Sequence, residues 1–365
     1  VLHFNRFVCV LLLNATLSGL QTLAQHTPNT PITADNVATL VSVQTIDFAT
    51  APAEAGELIS GWLRVDATAS RVVTVNRAND LLLWNLNTGD LEAVYTVPGS
   101  DGTNANMMDI AWNPDGTQVH SLHTDGGAFY IAVYTLDESE LQIITVPSGD
   151  NRPVRVWASS DPAVTWVEVL TADPEADSTV LQLEVATGEL LTELPSVAEA
   201  DRESNVRIGR MPAPLAVTSS LEGTVQLWDL ELGELLYRVQ LDLMPTFGHI
   251  NGASGRRLVW RDNASENLYL LDFETGENDL VTPLGGTYAQ ALLLTPSADV
   301  VLGVNLDLEP VVVAWDAATG ERADLGEYRT CSRTPDMVQL SQDGTALVIG
   351  CDTGLDVWRI APQGE

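Results

Sequence analysis

Two histidines, two cysteines and two runs of carboxylates are the residues whose types and spacing could do chemistry. His120 and His123 are close enough in sequence to suggest a shared metal ion. They stand in the alternating stretch QVHSLHTD (118–125), where residues three apart on a strand face opposite sides. No metal site is assigned to them. Calcium would need oxygen ligands at fixed spacing, and the recurring Asp-Gly and Thr-Gly pairs form no such array. The chain has no G-x-S-x-G, no H-E-x-x-H, no Walker loop and no dinucleotide-binding glycine loop in strand–helix context. No catalytic residue and no cofactor is assigned. The carboxylate runs are TADPEADS (171–178), with Asp173, Glu175 and Asp177, and SVAEADRES (196–204), with Glu199, Asp201 and Glu203.

Charge narrows the class of partner. Acidic residues number 50 and basic residues 17, for a net charge of −33, and every basic residue is arginine. A nucleic-acid binder needs a basic footprint, and adsorption to anionic lipid needs the same; both are excluded as expectations. Copies of such a chain repel one another, and a monomer is expected. The opening VLHFNRFVCVLLLNATLSGLQTLA (1–24) has a basic residue, an apolar run and small residues at its end. That is the pattern of a secretory signal peptide, and its run is shorter than the ~20 residues a membrane span requires. The mature protein is expected to be extracytoplasmic, in the periplasm or at the cell surface. Residues 25–38, rich in Thr, Pro and Asn, read as a flexible lead-in. Once the leader is removed, Cys331 and Cys351 remain. In an exported chain they are expected to form one disulfide.

The elements that must position these residues are strands. VQLWDLELGELL (225–236) is an alternating strand, a tight polar turn and a second strand. It recurs as LLLWNLNTGDLEAV (81–94), FYIAVYTLDESELQII (129–144), VLQLEVATGELLTEL (180–194), LYLLDFETGENDLV (268–281) and VVVAWDAATGERADL (311–325), and in part as LDVWRIAPQGE (355–365). The position of Trp228 is filled in turn by Trp84, Tyr134, Leu183, Trp228, Leu271, Trp315 and Trp358, at intervals of 50, 49, 45, 43, 44 and 43 residues. A second hairpin precedes each anchor, most clearly at DIAWNPDGTQVHSL (109–122) and MVQLSQDGTALVIG (337–350). Each repeat is therefore four short antiparallel strands, and helical periodicity is absent.

Four strands per repeat, with Trp-Asp near the end of the third, resembles the WD-repeat β-propeller family, in degenerate bacterial form. Trp228-Asp229 and Trp315-Asp316 carry the dipeptide, and SLEGTVQLWD (220–229) is the fullest match. Gly-His occurs once, at Gly248-His249, so the Ser/Thr–His–Asp–Trp network of eukaryotic members is expected to be missing from most blades. The resemblance implies an all-β, seven-bladed propeller of four-stranded antiparallel blades over 39–361, with a tail at 362–365. The last repeat stops before a fourth strand. An open edge is an aggregation hazard, so 40–48 is expected to complete that blade, burying about three or four of Val41, Val43, Ile46 and Phe48.

Related propellers bind partners on the face that carries the links between blades and the turns joining second and third strands. Here that face would hold the two carboxylate runs together with Met107, Phe247, Tyr288, Arg329 and Arg333. The expected function is a non-enzymatic protein-interaction scaffold whose partner is another protein or an envelope component. The alternatives are a quinoprotein-like or lactonase-like propeller enzyme and a carbohydrate-binding surface propeller; ATGELL (186–191) and ATGERA (318–323) resemble quinoprotein repeats but lack the Trp those carry shortly after the Gly.

Overall fold

The computed structural model describes residues 30–56, 58–97, 99, 105–136, 140–149, 151–170, 179–194, 207–210, 215–219, 223–241, 252–254, 256–262, 265–284, 289–305, 311–328, 337–351 and 353–361. Their strands form seven four-stranded antiparallel sheets. After β1 (Leu40–Asp47), blade 1 is β2 (Leu58–Val65), β3 (Arg71–Asn76), β4 (Leu81–Asn85) and β5 (Leu91–Tyr95). Blade 2 is β6 (Asn106–Trp112), β7 (Gln118–Asp125), β8 (Ala128–Thr135) and β9 (Glu140–Thr145). Blade 3 is β10 (Arg152–Ala158), β11 (Val164–Leu170), β12 (Thr179–Glu184) and β13 (Leu190–Leu194). Blade 4 is β14 (Arg207–Arg210), β15 (Leu215–Ser219), β16 (Thr224–Asp229) and β17 (Glu234–Gln240). Blade 5 is β18 (Gly252–Ser254), β19 (Arg257–Asp262), β20 (Asn267–Asp272) and β21 (Asn278–Pro283). Blade 6 is β22 (Ala289–Leu294), β23 (Val300–Asn305), β24 (Val311–Asp316) and β25 (Arg322–Glu327). Blade 7 is β26 (Met337–Leu340), β27 (Leu347–Gly350) and β28 (Gly354–Ile360), completed by β1 as its outer strand.

The core lies between blades. Seven apolar clusters fill seven seams, and each contains one anchor. Trp84 packs with Val348 and Val357 of blade 7. Tyr134 packs with Val73 and Leu83 of blade 1. Leu183, Trp228, Leu271, Trp315 and Trp358 repeat this against the preceding blade. The anchor therefore recurs because each blade needs one large side chain to fill the seam behind it. An aromatic ring serves because it buries a large apolar area.

In blades 1, 4, 5 and 6 the residue after the anchor builds the turn between the third and fourth strands. Asp316 Oδ1 accepts hydrogen bonds from the N–H groups of Ala318 (2.9 Å) and Thr319 (2.7 Å). Asn85 and Asp272 do the same in blades 1 and 5. These bonds make the turn independent of strand pairing. The turn then needs glycine for two reasons, seen at Gly320. Its φ is +70°, and an added Cβ would lie 2.1 Å from the Val281 carbonyl oxygen on the outer strand of blade 5. The turns at Gly89, Gly188, Gly233 and Gly320 lean in this way on the outer strand of the blade before them, and a side chain at Gly320 would push the two apart.

β1 pairs antiparallel with β28 from Leu40↔Ile360 to Asp47↔Gly354. The closure expected from sequence is present, but its buried set differs. Leu40 and Ile46 are buried and Phe48 is partly buried against Trp84, whereas Val41 and Val43 are 41% and 44% exposed. The even-numbered residues of β1 face the ring. Strand parity admits one set only. Residues 30–39 also differ from a free lead-in: the Ile32 N–H donates to the Gly344 carbonyl (2.9 Å) and the Ala34 N–H to Asp299 Oδ2 (3.0 Å). Ile32 is wholly buried in the seam between blades 6 and 7, so one isoleucine straps the segment across two blade bases.

Candidate functional site

Alternating strand direction puts the blade links and the turns between second and third strands at one end of the ring. At blades 1 and 2 this end is stitched together by short polar side chains. Asn76 Oδ1 accepts from the Ala78 and Asp80 N–H groups, each at 2.9 Å. Its Nδ2 donates to the Ala55 carbonyl in the link from β1 (3.0 Å) and to Asp80 Oδ2 (2.9 Å). Thr96, at the start of the next link, donates to Asp80 Oδ1 at 2.5 Å. Asn79 takes a φ of +62° and bonds Asn106 of β6. Loop and link are thus fixed on rigid strands. The NRAND stretch (76–80) was not singled out from sequence, although an Asn-x-x-Asn-Asp turn between two apolar strands is its signal.

Met107, expected on this face, is buried in β6 among Val97, Ala105, Ile110 and Tyr134. It fills the seam between blades 1 and 2. Asp173, Glu175, Asp177, Glu199, Asp201, Glu203, Phe247, Tyr288, Arg329, Arg333 and Cys331 lie outside the described residues. Cys351 is buried at the end of β27.

The inner strands carry a polar belt that sequence reading missed. Arg64 Nη2 of β2 meets Asp109 Oδ1 of β6 at 3.0 Å, and both side chains are largely buried. Arg64 Nε also donates to the Ile110 carbonyl (3.0 Å), and Asp109 Oδ2 accepts from the Val156 N–H of β10 (3.0 Å). The Val65 N–H donates to Gln339 Oε1 of β26 at 3.0 Å. Four blades are linked in series through this chain. Register shifts between Met107 and Asp109, and between Pro153 and Arg155, re-aim these strands.

Both histidines are buried and take partners on different sides of β7. His120 Nδ1 lies 3.0 Å from Thr165 Oγ1 of blade 3. His123 Nε2 lies 2.7 Å from Ser121 Oγ, and its ring stacks on Tyr130 with centroids 6.0 Å apart. Burial pushes His120 down to about 3 and His123 to about 4, the latter offset in part by a backbone hydrogen bond at Ala105. Both are neutral at pH 7 and serve as packed hydrogen-bonding groups. Among the described residues, no group of three or more His, Cys, Asp or Glu side chains is placed to hold a metal ion.

Part of the buried network of WD-repeat propellers does occur. Trp84 Nε1 donates to Thr74 Oγ1 at 2.9 Å, between the third and second strands of blade 1. No protein-family model matches the chain, and no curated protein matches it. Among solved structures, the β-propeller domain of Cps50 (Swd1) from Myceliophteria thermophila is similar, with a TM-score of 0.59 at 11% identity, covering 88% of this chain and 100% of that one. The fold is a WD-repeat-like seven-bladed β-propeller.

Proposed function

We propose that the protein is a secreted, non-enzymatic scaffold that binds another protein or an envelope component through its link-bearing face. The observation that carries this reading is the closed ring, with its links and turns pinned to the strands at Asn76 and Asp80. Rigid scaffolds present binding loops in this way. Propellers host many functions, so no partner is borrowed from Cps50. Export is supported by the leader pattern of residues 1–24 and would be tested by sequencing the amino terminus of exported protein.

A Cys331–Cys351 bridge belongs to the same reading. Its support is that Cys351 is buried at the end of β27 and that Cys331 is the one other cysteine after the leader. Non-reducing intact mass after alkylation should show no free thiol; two alkylated cysteines would remove the bridge. For the binding face, a photo-crosslinking residue is placed at Ala78 or Ala128, both exposed at the link-bearing end, and at Ala318 on the opposite end. Crosslinking in the native envelope should give one discrete partner from Ala78 and Ala128 and none from Ala318. Equal labelling from all three positions, or none from any, would contradict the proposal.

A further inference from the structure

The outer edges of blades 2, 3 and 4 carry the densest exposed apolar surface among the described residues. Leu141 and Ile143 on β9, Leu190 and Leu191 on β13, Leu232 in the turn before β17 and Leu235 on β17 are all exposed, with Leu191 at 49% and Leu232 at 66%. They form one band because the blades lean on one another. An added Cβ at Gly188 would lie 3.5 Å from Ile144 on β9, and one at Gly233 would lie 3.1 Å from Leu194 on β13. Exposed glutamates frame the band: Glu140, Glu189, Glu193, Glu231 and Glu234.

β13 is the centre of this band. It is the outer strand of its sheet, and four of its five residues are exposed in the pattern eeeeB. Edge strands are usually guarded by lysine, proline or inward charge. The sequence LLTEL offers a single glutamate, and the chain has no lysine. β25 in blade 6, RADLGE, is guarded by Arg322, Asp324 and Glu327. An exposed apolar edge of this size marks a binding surface. A second copy of the chain is a poor occupant, because the glutamates on both edges and the net charge of −33 oppose it.

We propose that β13 and the flanking edges of blades 2 and 4 dock an extended partner segment that alternates apolar and basic residues, added as a fifth strand to blade 3. Main-chain hydrogen bonds to the open edge would hold it. Its apolar side chains would meet Leu190 and Leu191, and its basic side chains would meet the glutamates. This surface is separate from the link-bearing face, and either can fail without the other.

The test uses a fluorescent nonapeptide of alternating valine and arginine, read by anisotropy, with hydrogen exchange followed at residues 190–194. The peptide should bind and protect the β13 amides, and an alternating valine–glutamate peptide should not bind. Leu191→Asp should weaken binding by about tenfold, the effect of losing one anchoring side chain. That substitution adds negative charge, so a merely electrostatic attraction would strengthen instead. Leu232→Asp, at a more exposed position, gives the same reading if Leu191→Asp folds poorly. Binding that is undiminished or tighter in both variants would overturn the proposal. So would no binding at millimolar peptide, or β13 protection that rises with protein concentration alone.

Discussion

Blade 7 joins a strand from near the start of the described chain to three strands from its end, and its interior is mostly apolar: Leu347, Val348, Ile349, Leu355, Val357 and Trp358. Its one wholly buried carboxylate among the described residues, Asp356, accepts a hydrogen bond from Thr45 of β1. Blade 2 is one continuous stretch of chain and buries Asp109, His120, Ser121 and His123. The two blades fill equivalent places in the ring with different chemistry. Blade 7 is held mainly by apolar contact and strand pairing, with polar bonds to blade 1 at Gln339 and Arg359. Blade 2 is held partly by directed polar bonds to its neighbours, at Arg64, Val156 and Thr165. Apolar seams depend on shape and area. Polar seams depend also on protonation and on every partner being present.

The largest expected effect is at blade 7. Deleting 40–47 removes two buried aliphatic side chains, worth about 3–6 kcal/mol, as well as the register with β28. Net stability of a domain is only about 5–15 kcal/mol. Size-exclusion chromatography should show aggregated or expanded protein.

Acid should act chiefly on blade 2. His120 and His123 have folded values of about 3 and about 4, below the ordinary 6.5. Between those values and 6.5 the unfolded chain binds more protons, so stability is full above 6.5 and falls as pH drops. At pH 4.5 the loss is about 2–3 kcal/mol for each imidazole. Urea unfolding at pH 7.5 and 4.5 should show this difference, and His120→Gln should remove about half of it. An unchanged midpoint would mean that the imidazoles are not buried neutral.

Asp109→Ala removes the carboxylate 3.0 Å from Arg64 Nη2 and the acceptor 3.0 Å from the Val156 N–H, both in a largely buried seam. The expected cost is about 3–4 kcal/mol, seen as a lower denaturation midpoint. The smallest effect is Trp84→Phe, which keeps the seam filled but leaves Thr74 without its donor. It should cost about 1 kcal/mol.

The comparison also shows what a sequence exposes. The ring was legible because each blade needs one anchor, which recurs at a fixed place, and four of the seven anchors are followed by a turn-forming Asp or Asn, as at Trp315-Asp316 and Trp84-Asn85. Closure was legible from a repeat that lacked a strand. The inward set of β1 was not, because apolar residues occupy both parities at Leu40, Val41, Val43 and Ile46, and only pairing with β28 selects the even ones. Ile32 carried no local signal, since its seam is built by residues near 300 and 344. The opposite-side reading of His120 and His123 held, but their burial depends on Thr165 and Tyr130, in another blade and another strand. The expected face was read from loops, and apart from Met107 its residues fall outside the described set.

The central claim is that one ring is closed by β1. Hydrogen exchange of the intact protein tests it most directly. The β1 amides that pair with β28 should exchange as slowly as those of β28 itself, within about tenfold. Exchange of residues 40–47 at the rate of exposed loops, with β28 still protected, would contradict the closed seven-bladed ring.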